Sequence, residues 1–316
     1  MKLLITRPLP AAVIDAARTE FDVTVRNNDL PLSNDELRSA LRDFDAVLPT
    51  LGDAFSADVF ADVPTARCRI LANFGVGYNH IDTVAAAKAG VVVTNTPGAV
   101  TDATADIALT LLLMSARRAA EGDRLVRSGQ WTGWTPTQML GLHATGKSVG
   151  IVGMGRIGQA IAKRCHFGFD MAVHYFNRSE KDLPFPATRH WELRDLAARV
   201  DILVVALPGG GNTRHLIGAE VFGAMPPHAH FINIARGEIV DEGALVQALK
   251  SGEIAGAGLD VYEHEPDVPD ALRALDNVTL LPHLGTAALE VRTGMGLMSV
   301  ANLVAFKRKE PLPNAV

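Results

Sequence analysis

The chain has 316 residues, enough for about two domains of ordinary size. It is 48% hydrophobic and 21% charged with a formal net charge of -5, the balance of a globular protein without a basic footprint for nucleic acid. Two cysteines, Cys68 and Cys165, show no motif spacing, which argues against a disulfide framework and fits a reducing compartment. The longest apolar run, near Ile107 to Met114, is too short for a membrane span.

The first residues, Met1-Lys-Leu-Leu-Ile-Thr-Arg-Pro, lack a signal-peptide pattern and read as a strand, so a cytoplasmic protein is expected. Residues 2 to about 96 alternate between strand-like and helix-like pieces. Strands are predicted at Leu3 to Thr6, Val23 to Val25, Ala46 to Leu48, Arg69 to Asn73 and Val91 to Asn95. Helical spacing covers Ala11 to Arg18, and Ser33-Asn-Asp-Glu36 is a capping box that opens a helix through about Phe44. Thr96-Pro-Gly98 interrupts the alternation. A long helix follows from about Thr101 to Arg118 or further, and Gly129 to Gly141 forms a loop carrying Trp131, Trp134 and Pro136. The two tryptophans mark either a contact surface or the cover of a core edge.

Val149 to Val152 has the length and composition of a buried strand. Gly153, Gly155 and Gly158 follow, and a helical pattern starts at Ile157. This is the G-x-G-x-x-G strand, turn and helix of a dinucleotide site. The first glycine permits the turn, the second lets the backbone approach a pyrophosphate, and the third lets helix and strand pack closely. Further strands are expected at Met171 to Phe176, Asp201 to Leu207, His230 to Ala235, Gly256 to Val261 and Val278 to Leu281, with helices over Glu192 to Val200 and Glu242 to Lys250. Ala287 to Phe306 reads as one long helix returning to the first domain. The alternation predicts an α/β protein with two doubly wound parallel sheets, a Rossmann-type cofactor domain over 99–286 and a flavodoxin-like substrate domain over 1–98 and 287–316.

In NAD sites an acidic residue about twenty positions beyond the turn binds the ribose 2′-hydroxyl. Here the corresponding stretch reads Asn177-Arg178-Ser179, with no carboxylate. Guanidinium, amide and hydroxyl groups bind a 2′-phosphate that a carboxylate would repel, so NADPH is expected over NADH. Three strand ends carry further chemistry: Arg236 after Phe231 to Ala235, Glu263 and Glu265 after Gly258 to Tyr262, and His283 after Leu280 to Pro282. Carboxyl ends of strands face the ligand crevice in such sheets, so these groups form one candidate cluster. His228, His230 and His264 have no ligand spacing, and no metal is expected.

With these motifs in view, the whole chain resembles the D-isomer-specific 2-hydroxyacid dehydrogenases. The carriers are Asn73-Phe-Gly-Val-Gly-Tyr-Asn-His-Ile-Asp82, Thr94 to Asp106, the glycine turn, Asn-Ile-Ala-Arg-Gly237, Gly258-Leu-Asp-Val-Tyr-Glu-His-Glu-Pro266 and Pro282-His-Leu-Gly285. The subgroup it is most similar to is the NADPH-dependent glyoxylate and hydroxypyruvate reductases. The resemblance implies that Arg236 binds the substrate carboxylate and that His283 is the general acid. It implies Glu265, immediately before Pro266, as the partner favouring the charged imidazole. Leu51, Val76 and Gly77 would contact a small 2-keto acid, the last two through backbone N–H groups. The pyrophosphate would meet Gly153, Gly155, Arg156, Ile157 and Gly158. Thr104, Leu207, Pro208 and Thr213 would also touch the cofactor, as would Ile234, Asp260 and Gly285, with Asp260 at the carboxamide. It further implies a homodimer joined through the long helix and the tryptophan loop, while two crossings near 98 and 286 suggest hinge closure over the substrate. Alternatives within and beyond this reading are a D-lactate or phosphoglycerate type of dehydrogenase, and a dinucleotide-sensing binding protein like the related corepressors.

Overall fold

Short apolar runs become the strands of two all-parallel sheets. The computed structural model describes residues 1–316. In one sheet lie β1 (Lys2–Ile5), β2 (Asp22–Val25), β3 (Ala46–Leu48), β4 (Ile70–Ala72) and β5 (Val92–Thr94), in the order β2-β1-β3-β4-β5. This is the flavodoxin-like order. In the other lie β6 (Ser148–Val152), β7 (Ala172–Phe176), β8 (Ala187–His190), β9 (Ile202–Val205), β10 (His230–Asn233), β11 (Gly256–Leu259) and β12 (Val278–Leu280). Their order, β12-β11-β10-β9-β6-β7-β8, is the Rossmann arrangement extended by one strand, with its reversal between β6 and β9. The chain divides into two compact units, Met1–Val100 with Thr286–Val316, and Thr101–Gly285.

Each unit has its own apolar core. In the first, Leu3, Ile5, Val13 and Leu48 pack with Val300 and Leu303 of the helix Leu289–Arg308. That helix comes so close to helix Ala11–Glu20 that a Cβ at Gly296 would clash with the Val13 side chain. In the second, β9 is buried along its whole length, as expected of a central parallel strand covered on both faces. Caps fix helix starts: Ser33 and Glu36 form the expected reciprocal box, and the Asp241 side chain accepts from Ala244 N at 3.0 Å ahead of helix Glu242–Ser251.

The long helix stops earlier than its apolar pattern predicts, at Thr101–Ala116. Arg118 then turns left-handed (φ 52°), its guanidinium held by Glu121, and a separate helix Ala119–Arg127 begins. Nothing in that second helix is buried, and Trp131 and Trp134 beyond it are exposed. No helix is long and apolar enough to cross a membrane.

Candidate active site

The carboxyl ends of six strands in the second unit carry every candidate residue outside the first unit except Thr104 and Thr213. At the end of β6, Gly153 has φ +101°, and a Cβ there would press on Leu207 and Ala206 at 2.8–2.9 Å. A Cβ at Gly158 would run into the Gly153 carbonyl, so helix Arg156–Phe169 can approach β6 only because that position is bare. A Cβ at Gly155 would meet nothing within 4 Å. The second glycine therefore opens a cradle beside an exposed helix N-terminus, the environment a pyrophosphate requires. Arg156 is exposed and Ile157 half-buried at the start of this helix. These residues fit a dinucleotide.

At the end of β7, the Asn177 side chain couples two loops. Its Oδ1 accepts from Met154 N at 3.2 Å, and its Nδ2 donates to Ser179 O at 2.8 Å. Arg178 is exposed. After β9, Thr213 Oγ1 donates to the carbonyls of Pro208 and Gly210 at 3.1 and 3.0 Å, which closes the loop after Leu207.

Asp260, just past β11, is 1% exposed, and its two carboxylate oxygens accept from Leu284 N at 2.6 Å and Gly285 N at 2.8 Å. Burial raises its pKa, against the pull of those N–H groups and of His283. The main work of this carboxylate within the protein is thus to fold the turn that carries His283. Thr104 Oγ1 joins the same turn through Gly285 O at 3.2 Å. His283 itself sits left-handed (φ 54°), and its ring meets the loop beyond β11.

There Glu265 Oε2 meets His283 Nδ1 at 2.8 Å, with both side chains 31% exposed. The other Glu265 oxygen accepts from Tyr262 N at 3.1 Å, and Tyr262 Oη donates to Leu281 O at 2.9 Å. Tyr262 therefore ties the Glu265 loop to the segment leading to His283, a link that no motif announced. Burial alone would raise the Glu265 carboxyl. The His283 hydrogen bond and charge, the Tyr262 N–H and the Arg236 charge together hold it below its ordinary value. Glu263, the rival acid, is taken up by Arg214 and by His215 Nε2 at 2.8 Å.

Arg236 follows Ile234 and Ala235 at the end of β10. Asn233 shapes its backbone by accepting from Ala235 N and donating to Arg236 O, each at 3.0 Å. Burial works against the guanidinium's charge, while Glu265 and Glu238 support it. A guanidinium, a carboxylate and an imidazole thus act on one another at three neighbouring strand ends. His228 pairs with Asp201 and His230 with Ser115, away from this cluster. The cavity of about 640 Å³ between Ser115, Leu140, His230 and Thr279 lies at the opposite strand ends and holds none of these groups.

In the first unit, the carbonyls of Gly75, Val76 and Gly77 are all engaged, by Asn73 Nδ2, Asn95 Nδ2 and Thr96 N at 2.9–3.1 Å. No hydrogen bond within the chain uses the N–H of Val76 or Gly77, so this loop offers donors to an anion. Leu51 is 38% exposed.

Comparison with known proteins shows the family. Residues 109–285 match the D-isomer specific 2-hydroxyacid dehydrogenase, NAD binding domain, family. The chain is 44% identical over 321 residues to a glyoxylate reductase of Pyrococcus horikoshii, covering 100% of this chain and 95% of that protein. It is 41% identical over 322 residues to a glyoxylate reductase of Korarchaeum cryptofilum, with the same coverage. Among solved structures, the NADPH-dependent glyoxylate/hydroxypyruvate reductase of Sinorhizobium meliloti, in complex with NADP and malonate, is 35% identical with a TM-score of 0.88, covering 100% of this chain and 96% of that one.

Proposed function

The chain belongs to the D-isomer-specific 2-hydroxyacid dehydrogenases, an oxidoreductase family, and from that premise we propose that it reduces small 2-keto acids such as glyoxylate and hydroxypyruvate with NADPH. The observation that carries the reading is the His283–Glu265 pair at 2.8 Å beside Arg236. The glycine turn would hold the pyrophosphate, and Asn177, Arg178 and Ser179 the 2′-phosphate. When bound, the nicotinamide cofactor supplies the hydride. Arg236 grips the substrate carboxylate in bidentate fashion and polarises the keto group. Because Nδ1 of His283 faces Glu265, Nε2 is the atom that passes a proton to the carbonyl oxygen. Glu265 keeps the ring oriented. Val76 and Gly77 offer N–H groups to the carboxylate, and Leu51 lines the substrate pocket.

The exposed helix Ala119–Arg127 and the Trp131–Trp134 loop support a homodimer. Two buried, unpaired cysteines support the cytoplasm as the compartment. A panel of small keto acids, assayed spectrophotometrically for oxidation of NADPH and of NADH, tests the reading. Turnover of glyoxylate or hydroxypyruvate with a lower KM for NADPH supports it. Absence of oxidation with every keto acid would turn the assignment toward a dinucleotide-sensing binder.

A further inference from the structure

We propose that Arg189, on β8, is a positioning residue that sets the NADPH preference by shaping the Asn177–Ser179 turn; this rests on the NADPH reading above. Arg189 lies opposite Tyr175 of β7 in the sheet register. Its Nε and Nη2 donate to Asn177 O at 3.2 and 3.0 Å, and Nη2 donates to Arg178 O at 2.8 Å. Its Cζ lies 3.8 Å from the Trp191 ring centroid, so the guanidinium plane is held from a second side.

Two successive carbonyls are thus drawn to one guanidinium. In a trans peptide the N–H points opposite to the C=O. Pulling in the carbonyls of Asn177 and Arg178 therefore turns the N–H groups of Arg178 and Ser179 to the other side of the turn. Neither N–H is used within the chain. The exposed Arg178 side chain and the Ser179 hydroxyl leave from the same turn. Arg189 in this way preorganises two backbone donors, a guanidinium and a hydroxyl for one phosphate, and it reduces the ordering that binding would otherwise require. A lysine, with a point charge in place of a planar fork, holds one carbonyl but not both. NADH has no 2′-phosphate and does not draw on this arrangement.

The test is a set of steady-state measurements with NADPH and NADH on the wild type, Arg178→Ala, Arg189→Ala, Arg189→Lys and the Arg178→Ala/Arg189→Ala double variant. Arg189→Ala is expected to raise the NADPH KM about tenfold, with kcat and the NADH KM within about twofold of wild type. Arg189→Lys recovers part of the loss. In the double variant the two losses combine to less than their product, because Arg189 acts through the turn that carries Arg178. If Arg178→Ala is selective for NADPH but Arg189→Ala raises both KM values alike, lowers kcat, or multiplies fully with Arg178→Ala, the role given to Arg189 falls and the NADPH reading stands. If Arg178→Ala itself affects both cofactors equally, the NADPH reading falls and this inference with it.

Discussion

His283, the proposed general acid, shows how much of its surroundings one side chain requires. Its left-handed backbone costs on the order of 1–3 kcal/mol for a residue with a side chain. The turn persists because Asp260 takes the next two N–H groups and Thr104 takes the Gly285 carbonyl. The Glu265 charge is the other half of the arrangement, and Glu265→Gln keeps the shape while removing it. The expected result is a fall in kcat with cofactor affinity unchanged, since the ring loses the carboxylate that holds Nδ1 and orients Nε2. An unchanged kcat would deny Glu265 that role. Arg178→Ala should cost about tenfold to a hundredfold in NADPH over NADH selectivity, the value of a charge-assisted hydrogen bond; the ratio of the two kcat/KM values measures it. Arg236 and His283 could be placed in one candidate cluster because each follows an apolar run that reads as a strand, whereas only the family resemblance, with its acid immediately before the proline, separated Glu265 from Glu263. Tyr262 and Arg189 were not legible. Their partners, Leu281 for one and Asn177 and Arg178 for the other, sit on neighbouring strands, and strand order is invisible to local spacing.

At the level of elements, the glycine turn separates binding from folding. Gly158→Ala drives a methyl group into the Gly153 carbonyl, and overpacking of this kind costs about 1–3 kcal/mol. Gly155→Ala meets open space, so its effect on stability should stay within about 0.5 kcal/mol while NADPH binding weakens, because the methyl would occupy the cradle proposed for the pyrophosphate. Thermal unfolding beside a cofactor fluorescence titration distinguishes the two; equal stability losses would contradict these assignments. The strands were readable because buried parallel strands are continuous apolar runs, as in Ile202–Val205. β8 escaped notice because Ala-Thr-Arg-His, at the sheet's edge, shows neither a run nor an alternation. The helices Ala57–Ala61, Thr83–Lys88, Ala219–Phe222 and Asp270–Arg273 are too short to display a 3.6-residue period. The break at Arg118 was hidden because the residues on either side suit a helix equally well.

For the molecule as a whole, pH acts on stability through His230. This ring is 5% exposed, bonds Ser115 Oγ at 2.8 Å, and is pushed down to about 4, by burial first and by His228 second. The unfolded chain takes up that proton near pH 6.5, so between about 6.5 and 4 the unfolded state binds more protons and stability falls with pH. The full cost is about 3 kcal/mol. Glu265, whose native value is lowered, contributes stability above about pH 4.3 that is lost only as pH falls through that lower value. Urea unfolding at pH 7.5 and pH 4.5 should therefore show a marked loss for the wild type and a smaller one for His230→Gln. Identical losses would remove His230 from the account. The two-unit architecture itself was legible from the alternation of strands and helices, whereas the site's sensitivity to burial was not, because burial is set by packing.

The measurement that bears most directly on the central claim is kcat for glyoxylate reduction by His283→Ala, taken beside NADPH affinity in the same variant. The account predicts a fall of about a hundredfold to ten-thousandfold in kcat, the worth of a positioned general acid, with NADPH affinity unchanged. A variant that binds NADPH normally and keeps kcat within about threefold of wild type would contradict it.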